Sequence, residues 1–344
     1  MKKLKAFLSI VLTFVLILTV GGCTKKPSEG TKDVTKVRLN EVVRSVFYAP
    51  MYAAINNGYF EEEGIEIDLS TGQGADKTMQ QVLSKNADIG FAGPEQVVYI
   101  NNQGREDYPI LFATLTQRDG SFLISRSDEK NFDWSSLKGK TVIGGRPGGV
   151  PQMTLEYVLK NHGLKPGSDV NFVTNLDFTA TAAAFKAGTG NYVALFEPTA
   201  SVLEKDGGAY IVSSIGKEAG PIAYTGFFAT KSYMDNNPDT IQSFTNAIYK
   251  GQLWVAKASD EEVAKAIASF FPGTDEGILV NVVKNYREAE AFAELPTVKE
   301  ENLTKLMDII QSYDSSLMPK RPEFNKIVNN SFSEKAVSEV KLSK

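Results

Sequence analysis

KTVIGGRPGGVPQM, residues 140–153, joins a β-like run ending at Ile143 to a helix-like run that starts near Val150. Between them lie four glycines, Arg146 and Pro147. A glycine-rich turn from strand to helix often holds an anion, because the helix N-terminus offers free N–H groups and partial positive charge. Two nucleotide motifs can be tested against it directly. A P-loop needs a lysine after its last glycine, and no glycine of this turn is followed by one. The dinucleotide fingerprint needs Gly-x-Gly-x-x-Gly, and glycines 144, 145, 148 and 149 lack that spacing. The turn reads as a cradle for some other small molecule, on an α/β scaffold.

Outward from this turn, strand-like and helix-like segments alternate. Before it, strands are expected at 36–43, 65–69, 87–92 and 110–116, with helices at 50–57, from 75 and at 95–101. After it come a helix at 150–161, a strand at 171–174, a helix at 180–187, a strand at 192–196, a helix at 199–205 and a strand at 210–213. This rhythm predicts parallel sheets with helices on both faces. From residue 238 onward the spacing is helical: 239–258, 261–270, 275–283 and 299–315. Two α/β cycles followed by a helical coat predict two lobes. Turns rich in small residues follow the strands at Gly72-Gln73-Gly74 and Gly90-Phe91-Ala92-Gly93, where open α/β sheets place their ligands.

The N-terminal end has a different character. Lys2, Lys3 and Lys5 precede an apolar run over 6–20 that breaks at Gly21-Gly22-Cys23. That run is short for a bilayer span of roughly 20 residues and suits an export signal. Val20-Gly21-Gly22-Cys23 resembles a bacterial lipobox, in which the cysteine is lipidated and becomes the mature N-terminus; a plain signal peptide or membrane anchor is the alternative. The expected organisation is a signal over 1–22 and a polar tether over 23–35 on a lipid-bearing Cys23, outside the bacterial cell membrane. Cys23 is also the chain's one cysteine, which leaves the mature domain without disulfides or thiolate metal sites. Removing the leader's three lysines takes the net charge from −4 to about −7, which argues against a nucleic-acid partner.

APMYAAINNGYFEEEGIEIDL, residues 49–69, resembles the opening of the substrate-binding proteins of ABC importers for nitrate, sulfonates, taurine and thiamine precursors. GQGADKTMQQVLSKNADIGFAGPE, LFATLTQRDGSFLISR, LKGKTVIGGRPGGVPQMTLEYVLKNHGL and NYVALFEPTA follow in that family's order. The resemblance implies a two-lobed type 2 periplasmic-binding-protein fold, α/β in class, with a hinge and C-terminal helices. Lobe one is then 36–122 with 228–344, and lobe two is 123–227, the crossings lying near 118–127 and 221–230. It further implies an ABC permease and its ATPase as partners, a monomer, and no cofactor. A related branch, the pyrimidine synthases of thiamine biosynthesis, carries a cysteine-rich iron motif and a reactive histidine. This chain has no cysteine after Cys23, and its single histidine, His162, ends a helix.

Several residues are candidates for the ligand site. Gly148 and Gly149 allow close backbone approach, and Arg146 offers a planar fork for an anion, or else pairs with a lobe-one acid such as Glu95 or Asp119. Gln73 and Gly74 lie in the turn after the second strand. Glu197, ending a strand, either faces the cleft or caps the helix at 199. As a cleft carboxylate it would repel an anion and suit the amino group of a heterocycle. Glu95 is either a ligand contact or a first-turn partner of its helix dipole. Phe47, Tyr48, Phe91 and Tyr224 could stack on a flat ligand or fill the core. Adjacent loop aromatics such as Phe47 and Tyr48 cannot both face one core. Together these readings favour a thiamine-precursor-type pyrimidine, with a sulfonate, nitrate or similar anion as the alternative.

Overall fold

The computed structural model describes residues 34–342; the leader, Cys23 and nearly all of the tether lie outside the described residues. Among the described residues ten strands are present: β1 (Thr35–Glu41), β2 (Ile65–Thr71), β3 (Ile89–Ala92), β4 (Pro109–Thr116), β5 (Ser121–Ser125), β6 (Thr141–Ile143), β7 (Asn171–Val173), β8 (Tyr192–Phe196), β9 (Tyr210–Ser214) and β10 (Thr225–Thr230). The helices that matter for the site are α1 (Ala49–Asn56), α2 (Ala75–Leu83), α3 (Glu95–Asn102), α4 (Val150–Asn161), α5 (Thr199–Lys205), α6 (Pro238–Lys257), α7 (Glu276–Glu288) and α8 (Glu300–Tyr313).

The strands form two five-stranded sheets, ordered β2-β1-β3-β10-β4 and β7-β6-β8-β5-β9. Each lobe holds one sheet. The sheets are mixed, which corrects the expectation of purely parallel ones. β10 runs antiparallel to both β3 and β4, and β5 antiparallel to both β8 and β9. The cause is topological: each of these strands enters its sheet directly from the other lobe, so it runs against its neighbours. Residues 117–120 make the first crossing, and 220–224 lead into β10.

One apolar core runs through sheet one and across the lobe junction into the inner face of sheet two, through Phe122, Leu195 and Phe196. A smaller core under the far side of sheet two gathers Leu123, Trp134, Val142, Leu155 and Val158. α6 packs on α1 closely enough that a Cβ on Gly251 would stand 2.2 Å from the Pro50 carbonyl oxygen. The C-terminal helices do not simply rejoin lobe one. α8 packs against α3 and also against α4 of lobe two, and its Lys305 Nζ donates to the Ala219 carbonyl at 2.6 Å. Among the described residues no helix is long and apolar enough to cross a membrane, and no group of three or more His, Cys, Asp or Glu side chains could hold a metal ion.

Candidate functional site

A cavity of ≈ 70 Å³ opens between the lobes, at the C-terminal ends of their parallel strands. Lobe one contributes Val42 and Val43 after β1, Tyr48, Gly74 and Ala75 at the start of α2, Gly93 and Glu95 at the start of α3, and Tyr224 and Thr225 entering β10. Lobe two contributes Val150 and Pro151 at the start of α4, Phe178, and Phe196 at the end of β8. The walls are mainly apolar and aromatic. Glu95 is the one carboxylate in the lining, and no lysine or arginine lines it.

The candidate aromatics divide between wall and support. Tyr48 and Tyr224 line the cavity. Phe91 lies behind Tyr48, edge to face at 4.6 Å, and is itself stacked on Phe227 at 4.3 Å. Phe47 is fully buried among Tyr286 (4.9 Å, stacked), Tyr224 (5.6 Å) and Phe196 (6.2 Å), so it joins the two lobes rather than lining the cavity. The expectation that this adjacent pair could not share one core is corrected: the 3-10 turn over Val46–Tyr48 brings the two rings to 5.4 Å, and both are buried in the same core, from which Tyr48 also reaches the cavity. Phe178 and Phe196, not foreseen as site residues, lie 5.5 Å apart in the lobe-two wall. Phe178 is 43% exposed, which puts it at the rim.

The glycine-rich turn is not an open cradle. The Gln152 side chain folds back into it, with its Oε1 accepting from the Gly145 N–H at 3.1 Å. A Cβ on Gly144 would lie 2.0 Å from that same oxygen, so the glycine makes room for Gln152 and not for a ligand. Gly148 adopts the left-handed region (φ 72°), and its carbonyl accepts from the Tyr99 hydroxyl of lobe one at 2.9 Å. Gly149 caps α4 in extended backbone. Neither glycine lines the cavity; Val150 and Pro151 after them do. In the facing turn, Gln73 is exposed with φ 60°, while Gly74 (φ 153°) reaches the cavity and donates its N–H to the Val42 carbonyl at 3.0 Å.

Arg146 pairs across the lobes, but with a different acid from either one anticipated. Its Nε lies 3.3 Å from Asp76 Oδ1 on α2, and Nη1 donates to the Pro147 carbonyl at 3.1 Å. The pair is about half exposed and stands at the rim.

Glu197 turns away from the cavity. Its carboxylate accepts from the Ser201 N–H (2.8 Å), the Ser201 hydroxyl (2.7 Å) and Asn285 Nδ2 on α7 (3.0 Å). Burial raises its proton affinity while those bonds oppose it. The direct cleft contact expected of Glu197 is therefore replaced by a cap on α5, because the free N–H groups of that helix are the nearest donors.

Glu95 presents the opposite case. It is 1% exposed, and Oε1 accepts only a long bond from Gln96 Nε2 at 3.3 Å, while Oε2 has no partner. Burial pushes the carboxyl up to about 7, with the Arg146 charge pulling the other way. At the hinge, Asp119 is likewise pushed up to about 7 by burial, against hydrogen bonds from the Ser121 N–H and hydroxyl. The Tyr224 hydroxyl lies beside Asp119 without a well-formed hydrogen bond, and its burial drives its own proton affinity upward. Chemically, the cavity can hold a small, largely apolar molecule, with the Glu95 carboxylate and the hydroxyls of Tyr48, Tyr224 and Thr225 as its polar side-chain groups.

Comparison with known proteins agrees with this architecture. The chain is 44% identical over 306 residues, 89% of its length and 91% of the relative's, to YtlA of Bacillus subtilis (strain 168), a candidate binding protein. The alkanesulfonate-binding protein SsuA from Xanthomonas axonopodis pv. citri, solved bound to MOPS, superposes with a TM-score of 0.69 at 16% identity, covering 86% of this chain and 98% of that one. The periplasmic nitrate-binding protein NrtA from Synechocystis PCC 6803 superposes with a TM-score of 0.70 at 15% identity, covering 90% of each chain. At such identities the likeness is one of fold, and the fold is that of periplasmic binding proteins. The family described as NMT1/THI5 like matches residues 46–262, and it is to this family that the chain belongs.

Proposed function

We propose that this protein is the substrate-binding component of an ABC importer, lipid-anchored through Cys23 on the outer face of the bacterial membrane. It captures a small heteroaromatic solute between its lobes and delivers it to the permease without making or breaking a covalent bond. The solute class that fits the cleft best is a pyrimidine of the thiamine-precursor type. One observation carries the reading: the interlobe cavity is walled by Tyr48, Tyr224, Phe178 and Phe196, and its one charged lining group is a carboxylate. Flat rings gain about 1 kcal/mol per aromatic contact beyond area burial, whereas an anion would meet Glu95 with no lining cation to offset it.

A second reading, the same role for a sulfonate or nitrate, is favoured by Arg146 at the rim, whose field reaches the cavity carboxylate. Thermal melting against aminopyrimidines, taurine, alkyl sulfonates and nitrate separates the two. A ligand at a hundred times its dissociation constant stabilises by about 2.7 kcal/mol, a shift of a few degrees for a chain of this size. Stabilisation by the aminopyrimidines alone supports the first reading; stabilisation by the anions alone replaces it with the second.

A further inference from the structure

We propose that Glu95 is the specificity-determining residue of the cleft: its free Oε2 accepts a hydrogen bond from an N–H of the ligand, so the ligand class is a neutral or cationic nitrogen base and not an oxyanion. This rests on reading the interlobe cavity as the binding site.

The argument begins with how the other buried carboxylates are satisfied. Glu41 accepts from the Tyr52 hydroxyl (2.5 Å), Arg44 Nε (2.6 Å) and the Thr71 hydroxyl (2.9 Å). Glu197 is held by Ser201 and Asn285, and Asp119 by Ser121 at Oδ1, its Oδ2 lying beside the Tyr224 hydroxyl without a formed bond. Each of these acids is held mainly by partners within the fold. Glu95 is equally buried, yet the one side chain that donates to it is its neighbour Gln96, at the long distance of 3.3 Å, with its own main-chain N–H nearby. A buried polar atom without a partner is costly and rare in folded proteins, and where it persists it points to a group that arrives later.

Position decides what that group is. Of the four acids Glu95 alone lines the cavity. A Cβ on Gly93 would stand 2.0 Å from Glu95 Oε2, so glycine at 93 leaves room for the carboxylate to lie where it does. Around it Val42, Val43, Val150, Phe178 and Phe196 are apolar, and the hydroxyls of Tyr48, Tyr224 and Thr225 complete the lining without adding a charge. The neighbouring cation is already engaged, Arg146 Nε with Asp76 and Nη1 with the Pro147 carbonyl. A ligand seated on the aromatic wall therefore meets one carboxylate, hydroxyls that can donate or accept, and no lining cation. An amino-substituted heteroaromatic ring supplies the N–H; nitrate or an alkyl sulfonate supplies only acceptors, which Glu95 repels.

The test is calorimetric titration of the detergent-solubilised full chain with 4-aminopyrimidine, unsubstituted pyrimidine, nitrate and methanesulfonate. Wild type, Glu95→Gln, Glu95→Leu and the cleft-filling Val43→Trp are compared. The expected result is that 4-aminopyrimidine binds wild type at least tenfold more tightly than Glu95→Gln and is not bound by Glu95→Leu or Val43→Trp. Glu95→Gln is expected to melt at or above the wild-type temperature, since it keeps the shape and removes an unpaired buried charge. Equal 4-aminopyrimidine affinity in wild type and Glu95→Gln overturns the role of Glu95 while leaving the cleft as the site. Undiminished binding by Val43→Trp overturns the cleft itself and, with it, this inference. Failure of wild type to bind 4-aminopyrimidine, with or without binding of either anion, overturns the assigned ligand class.

Discussion

The Ser45 hydroxyl donates to the main-chain carbonyl of Glu197 at 2.7 Å, tying the loop after β1 in one lobe to the end of β8 in the other. Two further links lie beside it: the Glu197 N–H donates to the Tyr286 hydroxyl at 3.1 Å, and that hydroxyl donates to the Gly120 carbonyl in the first crossing at 3.2 Å. Ser45 and Glu197 are each 1% exposed, so water does not compete for the bond. The two lobes are thus tied together next to the hinge by hydrogen bonds between the Ser45 and Tyr286 hydroxyls and main-chain groups.

Ser45→Ala is expected to weaken that link between the lobes. Losing one buried hydrogen bond costs about 1 kcal/mol net, and a ligand that requires closure then loses about fivefold in affinity. Calorimetric titration of the variant with whichever probe the wild type binds measures this. Unchanged affinity would mean that the bond contributes equally to the open and closed forms.

Replacing the Glu197 side chain addresses a different link of the chain, from local structure to stability. Glu197→Ala removes the acceptor of the Ser201 N–H, the Ser201 hydroxyl and Asn285 at once. A lost helix cap and its orphaned donors together cost about 1–3 kcal/mol. Chemical denaturation should show that loss, while ligand affinity stays within about threefold. A large loss of affinity with stability retained would return Glu197 to the binding site.

Arg146 separates the two ligand readings. Its contact with Asp76 is half exposed (44% and 49%), and exposed pairs contribute roughly 0–1 kcal/mol. Arg146→Ala is therefore expected to lower affinity less than about fivefold, with the difference shrinking further in 0.5 M salt as the charges are screened. A loss of a hundredfold or more would mean that the guanidinium holds an anion directly.

Much of this architecture was legible in the residues. α4, β8 and α5 have the bounds that periodicity and turn chemistry assign to them, because helix starts and stops are set by near neighbours in the chain. β5 and β10 were not legible as sheet members. SFLIS and TGFFAT are buried at every position, so they lack the alternation that marks a half-buried strand. Their direction depends on topology, which no local pattern encodes. The site was harder still. Glu197 and its partner Asn285 stand 88 residues apart, and only the packing of α7 against α5 brings them together. Glu95 shows the converse: its environment becomes informative through what is missing around it. Gln152 sits in the sequence beside the turn it fills, but its direction into the turn is a rotamer choice that composition does not disclose.

The pH dependence of stability follows from Glu95 and Asp119. Burial pushes both carboxyls up to about 7, from ordinary values of 4.5 and 3.8. Around Glu95, Arg146, the Gln96 amide and its own main-chain N–H oppose this rise and Asp76 adds to it; the hydroxyls of Tyr48, Tyr99 and Tyr224 face it without ionising near neutrality. Around Asp119, Ser121 and Tyr224 oppose the rise. A raised carboxyl binds its proton more tightly in the folded than in the unfolded state. Its contribution is fully present below the unfolded value near pH 4 and is lost as the pH rises through about 7. The two groups together should remove on the order of a few kcal/mol between pH 4 and 8, at about 1.4 kcal/mol for each tenfold difference in proton affinity between the folded and unfolded states. Denaturant titrations at pH 5, 6, 7 and 8 measure the slope, and Glu95→Gln and Asp119→Asn should each flatten it over that window. Coincident profiles for wild type and Glu95→Gln would mean that Glu95 titrates near its ordinary value, which requires solvent or an unseen donor to reach Oε2. A flattened profile for Glu95→Gln alone would assign the neutral-range ionisation to the cleft rather than to the hinge.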